Sequence, residues 1–201
     1  MKKGITKSLS ACVFAFVVFL AAGTQSKAAV NMGVKQTGAG SSYVELAWNA
    51  QLGAGHYHTQ FSQDGKNWID MEYSSSPSDS VYNLTQGASY YARVVAYNGS
   101  HYSGTHVMVG VSETAIVSTK PTEVTGLTQT AAGVNSVSMS WNASAGAASY
   151  VIYGYINYNW TQIGTSATNS ATITGVAATT STKFSVAAVK NVTGGTVTGD
   201  Q

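Results

Sequence analysis

Cysteine is nearly absent from this chain, and Cys12 is the only one. A disulfide framework is therefore excluded, and so is a thiol nucleophile anywhere in the body of the sequence. Charged residues make up 9% of the chain, where ordinary domains carry ~25%. Leucine is scarce while valine and threonine are abundant, which argues against helices longer than a turn or two. No apolar run reaches the ~20 residues that a spanning helix needs. The common catalytic signatures are missing as well: there is no G-x-S-x-G, no H-E-x-x-H and no phosphate-binding glycine loop. A glycosidase needs two carboxylates across a cleft, but Glu45, Asp64, Asp70, Glu72, Asp79, Glu113, Glu123 and Asp200 are scattered. From Val124 to Gly199 there is neither an acid nor a histidine. No enzymatic activity and no cofactor are expected.

What is present begins with an export signal. Lys2, Lys3 and Lys7 precede the apolar run Ala11 to Ala22, and Ser26-Lys27-Ala28 offers small residues for cleavage, so residues 1–28 read as a signal peptide. Its removal takes Cys12 and four of the ten basic residues but none of the eight acids, which turns a formal charge of +2 into −2. The clustered cationic face that nucleic-acid binding requires is then lacking. No membrane span remains after cleavage. A disulfide-free exported protein must be held by its cores, which suits a secreted or surface-displayed bacterial protein.

The strongest pattern is internal. QTGAGSSYVELAWNA, starting at Gln36, returns as QTAAGVNSVSMSWNA at Gln129, a spacing of 93 residues. Val44, Leu46 and Trp48 alternate with Tyr43, Glu45 and Ala47, and Val137, Met139 and Trp141 repeat that alternation. Each run predicts a strand with one apolar face. Further alternating runs place Tyr57, Thr59 and Phe61 inward in the first copy, and Tyr150 and Ile152 in the second. Tyr90, Ala92, Val94 and Ala96 point in on a later strand, matched by Phe184, Val186 and Ala188. Strands at this spacing, separated by turn residues, predict an all-β protein of two β-sandwiches.

The string from Leu84 through Gly87 and Tyr90 to Val94, Ala96 and Asn98 resembles the E–F corner and F strand of the fibronectin type III family, whose fold is immunoglobulin-like. Pro121 to Leu127 is similar to the A-strand opening of a following module. The resemblance implies two tandem modules, 30–118 and 122–201, joined by a linker at 119–121. It also implies that Tyr90 is a corner tyrosine bonded back to the backbone and that Leu84, Trp48 and Trp141 are structural. Thr182 stands where the second corner tyrosine belongs, and the second module's last strand reads as incomplete.

Candidate binding residues cluster in aromatics. By the resemblance, Tyr91, Arg93 and Tyr97 project from the F strand, and His101 and Tyr102 lie in the F–G loop, where such modules commonly carry recognition residues. Tyrosine in a glycine- and serine-rich loop suits a protein or glycan partner. Tyr155, Tyr158 and Trp160, on a hairpin of the second copy, are candidates for stacking on sugar rings. His56-x-His58 puts two imidazoles on one strand face, outward if Tyr57 points in, and the resemblance implies Tyr91 and Arg93 beside them on the neighbouring F strand. Two ligands make no metal site, so an exposed polar face and no bound metal are expected. The functional expectation is a non-enzymatic binding, adhesion or spacer protein, secreted or at a cell surface. The alternative is a carbohydrate-binding accessory module or fragment of a larger extracellular carbohydrate-active enzyme.

Overall fold

The computed structural model describes residues 28–103, 106–176 and 182–200. The expected signal peptide, apart from Ala28, lies outside these residues. Among the described residues, sixteen strands form four small sheets and one short 3₁₀ turn lies outside them, so the fold is all-β. Among the described residues, no helix is long and apolar enough to cross a membrane.

In the first repeat, β2 (Lys35–Ala39), β3 (Val44–Ala47) and β6 (Ser78–Val81) make a three-stranded sheet in the order β2-β3-β6. The facing sheet runs β1 (Ala29–Val30), β8 (Met108–Ser112), β7 (Ser89–Tyr97), β4 (His56–Ser62), β5 (Ile69–Ser74), with β9 (Ala115–Ser118) also on β7. The second repeat restates the plan. One sheet runs β10 (Thr128–Gly133), β11 (Ser136–Ser140), β14 (Ser170–Thr174). The other runs β13 (Asn159–Ser166), β12 (Ser149–Ile156), β15 (Phe184–Val192), β16 (Gly195–Thr198). Three strands facing a larger sheet resemble the fibronectin type III and immunoglobulin-like sandwiches.

Period-2 alternation explains the cores. Val44 and Leu46 are buried while Glu45 is exposed, and they join Tyr57, Phe61, Val81, Tyr90, Ala92, Val94 and Val117 in one apolar cluster drawn from both sheets. Met139, Trp141, Tyr150, Ile152, Val186 and Ala188 form the second. The two cores are anchored identically. Trp48 meets Tyr57, and Trp141 meets Tyr150, edge-on at 5.4 Å and 67° in both. The tyrosine hydroxyls accept hydrogen bonds from the backbone N–H of Gln51 (3.1 Å) and Ser144 (3.0 Å). Gly33 and Gly126 occupy the left-handed region and sit against Asn49 and Asn142, so a side chain at either would meet both backbone strain and that amide. A register shift recurs at matching points, between Gln36 and Gly38 and between Gln129 and Ala131.

The repeats diverge at their edges. The Gln36 amide donates to the Ser118 carbonyl (2.8 Å) and accepts from the Ser118 N–H (2.9 Å), clamping β2 to β9 as a strand partner would. Its counterpart Gln129 is exposed. Strand β7 is paired along its start by β9 and along its end by β8, whereas β16 pairs only with Val189 to Val192 at the end of β15. Tyr90 is buried against Phe61, and its hydroxyl accepts from the Thr85 N–H at 3.0 Å. The repeats touch directly, and the connection itself adds a contact through Lys120. Thr193 exchanges two hydrogen bonds with the Ile116 backbone (2.8 and 2.7 Å), Lys120 pairs with Asp200 (2.6 Å), and Lys190 donates to the Gly87 carbonyl.

Candidate functional site

The chain's four histidines converge at one end of the first repeat. On β4, Tyr57 and Thr59 face the core, so His56 and His58 project from the opposite face. That face is covered. His56 is completely buried and His58 partly so, which corrects the expectation of an exposed polar strand face. The cover comes from the neighbouring strands and the segment that follows β7. The residue opposite His56 on β7 is Tyr97, whose ring stacks on it at 5.2 Å and 12°. Opposite His58 stand Val95 on β7 and Tyr73 on β5, not Arg93 and Tyr91 as the family resemblance implied.

The segment beyond β7 folds back because its two ends are tied. The Asn98 N–H donates to the Val107 carbonyl (3.0 Å), and the Asn98 side chain accepts from the Val107 N–H (2.7 Å). Gly55 permits the close approach, since a Cβ there would collide with the Gly99 carbonyl. That carbonyl accepts a hydrogen bond from His56 Nδ1 at 3.1 Å. The short turn His101–Ser103 then brings His101 over the pair. Its Nδ1 lies 3.2 Å from His58 Nε2, and its ring lies 4.3 Å from that of Tyr73. One ring nitrogen from each of His56, His58 and His101 lies within 4.8 Å of the others. His106 completes the cluster at 5.1 Å from His56 between ring centres.

Two nitrogens here are unsatisfied. His56 Nε2 and His106 Nδ1 are buried without a hydrogen-bond partner among the described residues. A proton on Nδ1 of His56, donated to Gly99, leaves Nε2 as the basic nitrogen. Burial pushes the His58 pKa below its ordinary value, with Asp70 at 3.9 Å opposing the shift and the other three histidines adding to it. Burial, aided by Asp70, also raises the Tyr97 hydroxyl. His58 is therefore biased towards the neutral imidazole, the form that ligates metals.

The other candidate binding residues divide. Tyr97, His101 and Tyr102 belong to this end of the molecule, with Tyr102 85% exposed and edge-on to His101. Arg93 lies further along the same face: its guanidinium covers the Trp68 ring at 4.1 Å, and its Nε donates to Gln60, which in turn donates to Asp70, the carboxylate beside His58. Tyr91 pairs with Ser62 and Ile116 on the backbone ladder and has its ring beside Gly65. In the second repeat, Tyr155 and Trp160 touch edge-on at 5.3 Å and 62°, while Tyr158 stands 90% exposed in the tight turn that follows β12. Asn157 and Tyr158 both take positive φ, as a two-residue hairpin turn demands. The three rings are thus exposed on one hairpin without forming a single flat platform.

His106 was missed by sequence reasoning. The available signal was compositional: every histidine of the chain falls between positions 56 and 106.

No protein-family model matches the chain. It is 33% identical over 162 residues to chitinase A1 of Niallia circulans, a match covering 77% of this chain and 22% of that protein. The chain thus spans about a fifth of that relative's length. Among solved structures, a two-domain fibronectin type III segment of chicken tenascin is 16% identical, covering 82% of this chain and 92% of that one, with a TM-score of 0.38. The FN1–FN3 domains of chicken CNTN1 are 14% identical, covering 86% and 68%, with a TM-score of 0.46. The chain is an all-β protein resembling fibronectin type III and immunoglobulin-like domains, with sequence similarity to a bacterial chitinase.

Proposed function

We propose that the chain is an exported, non-catalytic accessory segment of a chitin-degrading type of carbohydrate-active enzyme, built of two fibronectin type III-like modules at 30–118 and 122–201. The similarity to chitinase A1 carries this reading: the matched stretch is 22% of that enzyme, a share suited to an accessory part. The matched tryptophan–tyrosine anchors at 48/57 and 141/150 support two equivalent modules. The hairpin bearing Tyr155, Tyr158 and Trp160 is the surface assigned to polysaccharide, because exposed aromatic rings suit the apolar faces of sugars.

The test is retention of the full chain on insoluble chitin, with cellulose as comparison. Retention on chitin is expected, and replacing both Tyr158 and Trp160 by alanine should weaken it ~10-fold, the scale of losing one or two stacked rings. Passage of the unmodified chain through chitin without delay would refute the carbohydrate-contacting role.

A further inference from the structure

We infer that His56, His58 and His101 form a binding site for a first-row divalent transition-metal ion, with zinc the best-suited occupant. Three observations meet in it. Ligand nitrogens come from two strand positions on one face and from a segment 43 residues further on, all within 4.8 Å of one another. Tetrahedral zinc with Zn–N bonds of ~2.0–2.1 Å places its ligand nitrogens roughly 3.3 Å apart. His58 Nε2 and His101 Nδ1 already stand at 3.2 Å. Binding then needs the His56 nitrogen to close from within 4.8 Å of these two towards the roughly 3.3 Å of a tetrahedral site.

The second observation is the state of His56. Its Nδ1 donates to the Gly99 carbonyl, and its Nε2 is buried with no partner among the described residues. This is the outer arrangement that orients a metal-ligating histidine: one nitrogen donates to a backbone carbonyl and the other is left basic for the ion. Simple ring packing would leave that buried nitrogen uncompensated. Third, the donor set is imidazole throughout, with Asp70 as an outer carboxylate 3.9 Å from His58 Nδ1. Imidazole sites favour zinc, copper and nickel over magnesium or calcium, which take oxygen ligands. His106, beside His56 with its Nδ1 also unpartnered, is the neighbour placed to approach the fourth position.

A bound ion would fasten the segment after β7 onto β4, and Tyr102, next to His101, would be held with it. The site is independent of the polysaccharide reading, which concerns the second repeat.

The experiment is a titration of the metal-stripped full chain with zinc chloride against a chromophoric chelator, with cobalt chloride as spectroscopic probe. Saturable binding of one ion per chain is expected, together with the visible bands of tetrahedral cobalt. His101→Gln and His58→Gln should each bind ~10-fold or more weakly and lose the cobalt bands. His101 lies on the surface turn, so its variant is expected to melt like the metal-stripped parent. Were His58→Gln to unfold, His101→Gln alone decides. No saturable binding by the parent, or binding by His101→Gln equal to the parent's, would overturn the assignment.

Discussion

Replacing Tyr90 by phenylalanine tests whether the turn before β7 is held by one hydroxyl. The ring of Tyr90 is buried against Phe61, with centroids 5.8 Å apart, and phenylalanine keeps that contact. What is lost is the bond from the Thr85 N–H to the hydroxyl, 3.0 Å long. A neutral intramolecular hydrogen bond is worth about 0.5–1.5 kcal/mol net, and a donor left dry costs up to about 3 kcal/mol. Thr85 is exposed, so water can reach its N–H, which favours the lower range. A cost of about 1 kcal/mol converts to a melting shift of about 4–8 °C for a domain of this size. Thermal unfolding followed by tryptophan fluorescence reads it, since Trp48 lies in the same core. Tyr158→Phe is the control: its ring is 90% exposed, and its effect should stay within about 0.5 kcal/mol. Tyr90→Ala, which also empties a buried ring site, should cost several-fold more than Tyr90→Phe. A Tyr90→Phe melting point within about 1 °C of the parent would refute the reasoning.

Two other substitutions probe features peculiar to the fold. Gln36→Ala removes both bonds of the amide clamp on Ser118 and should cost about 1–2 kcal/mol in urea unfolding, whereas Gln129→Ala should stay within about 0.5 kcal/mol; equal costs would mean that the clamp is not a stabilising contact. Asp79 is half-buried and its carboxyl pKa is raised by burial, against the opposing bonds from the Thr59 hydroxyl and the Ser80 N–H. With the folded pKa above the unfolded one, its contribution to stability is present in acid and is lost as pH rises through the folded value. Asp79→Asn should therefore raise the melting point at pH ~7 and change it little at pH ~3, below the usual carboxylate range. A lower melting point for the variant at neutral pH would contradict that sign.

Much of the architecture is written locally. A strand with one buried face must alternate, and Val44, Leu46 and Trp48 alternate where the structure buries them. The same physics acts on a near-copy 93 residues later, so the tryptophan–tyrosine anchors and even the register shift recur. Such features need only a residue's own strand and its immediate partners. Even here the repeat misleads at the edges: Gln36 clamps β9 while Gln129 meets solvent, because a side chain's role depends on which strand ends beside it.

The histidine cluster belongs to the other kind of information. Period 2 correctly sets His56 and His58 on the face opposite Tyr57, but it cannot say whether that face meets water. What covers it is a segment more than forty residues away, bent back by the Asn98–Val107 ties and admitted by the bare backbone of Gly55. Long-range closure of this kind carries no periodic signature. By itself, then, the sequence determined the strands, their inward faces and the duplication of the unit. It took the tertiary structure to show that four histidines meet, that one is wholly buried with a nitrogen unpaired among the described residues, and that Val95 and Tyr73, not Arg93 and Tyr91, stand opposite His58.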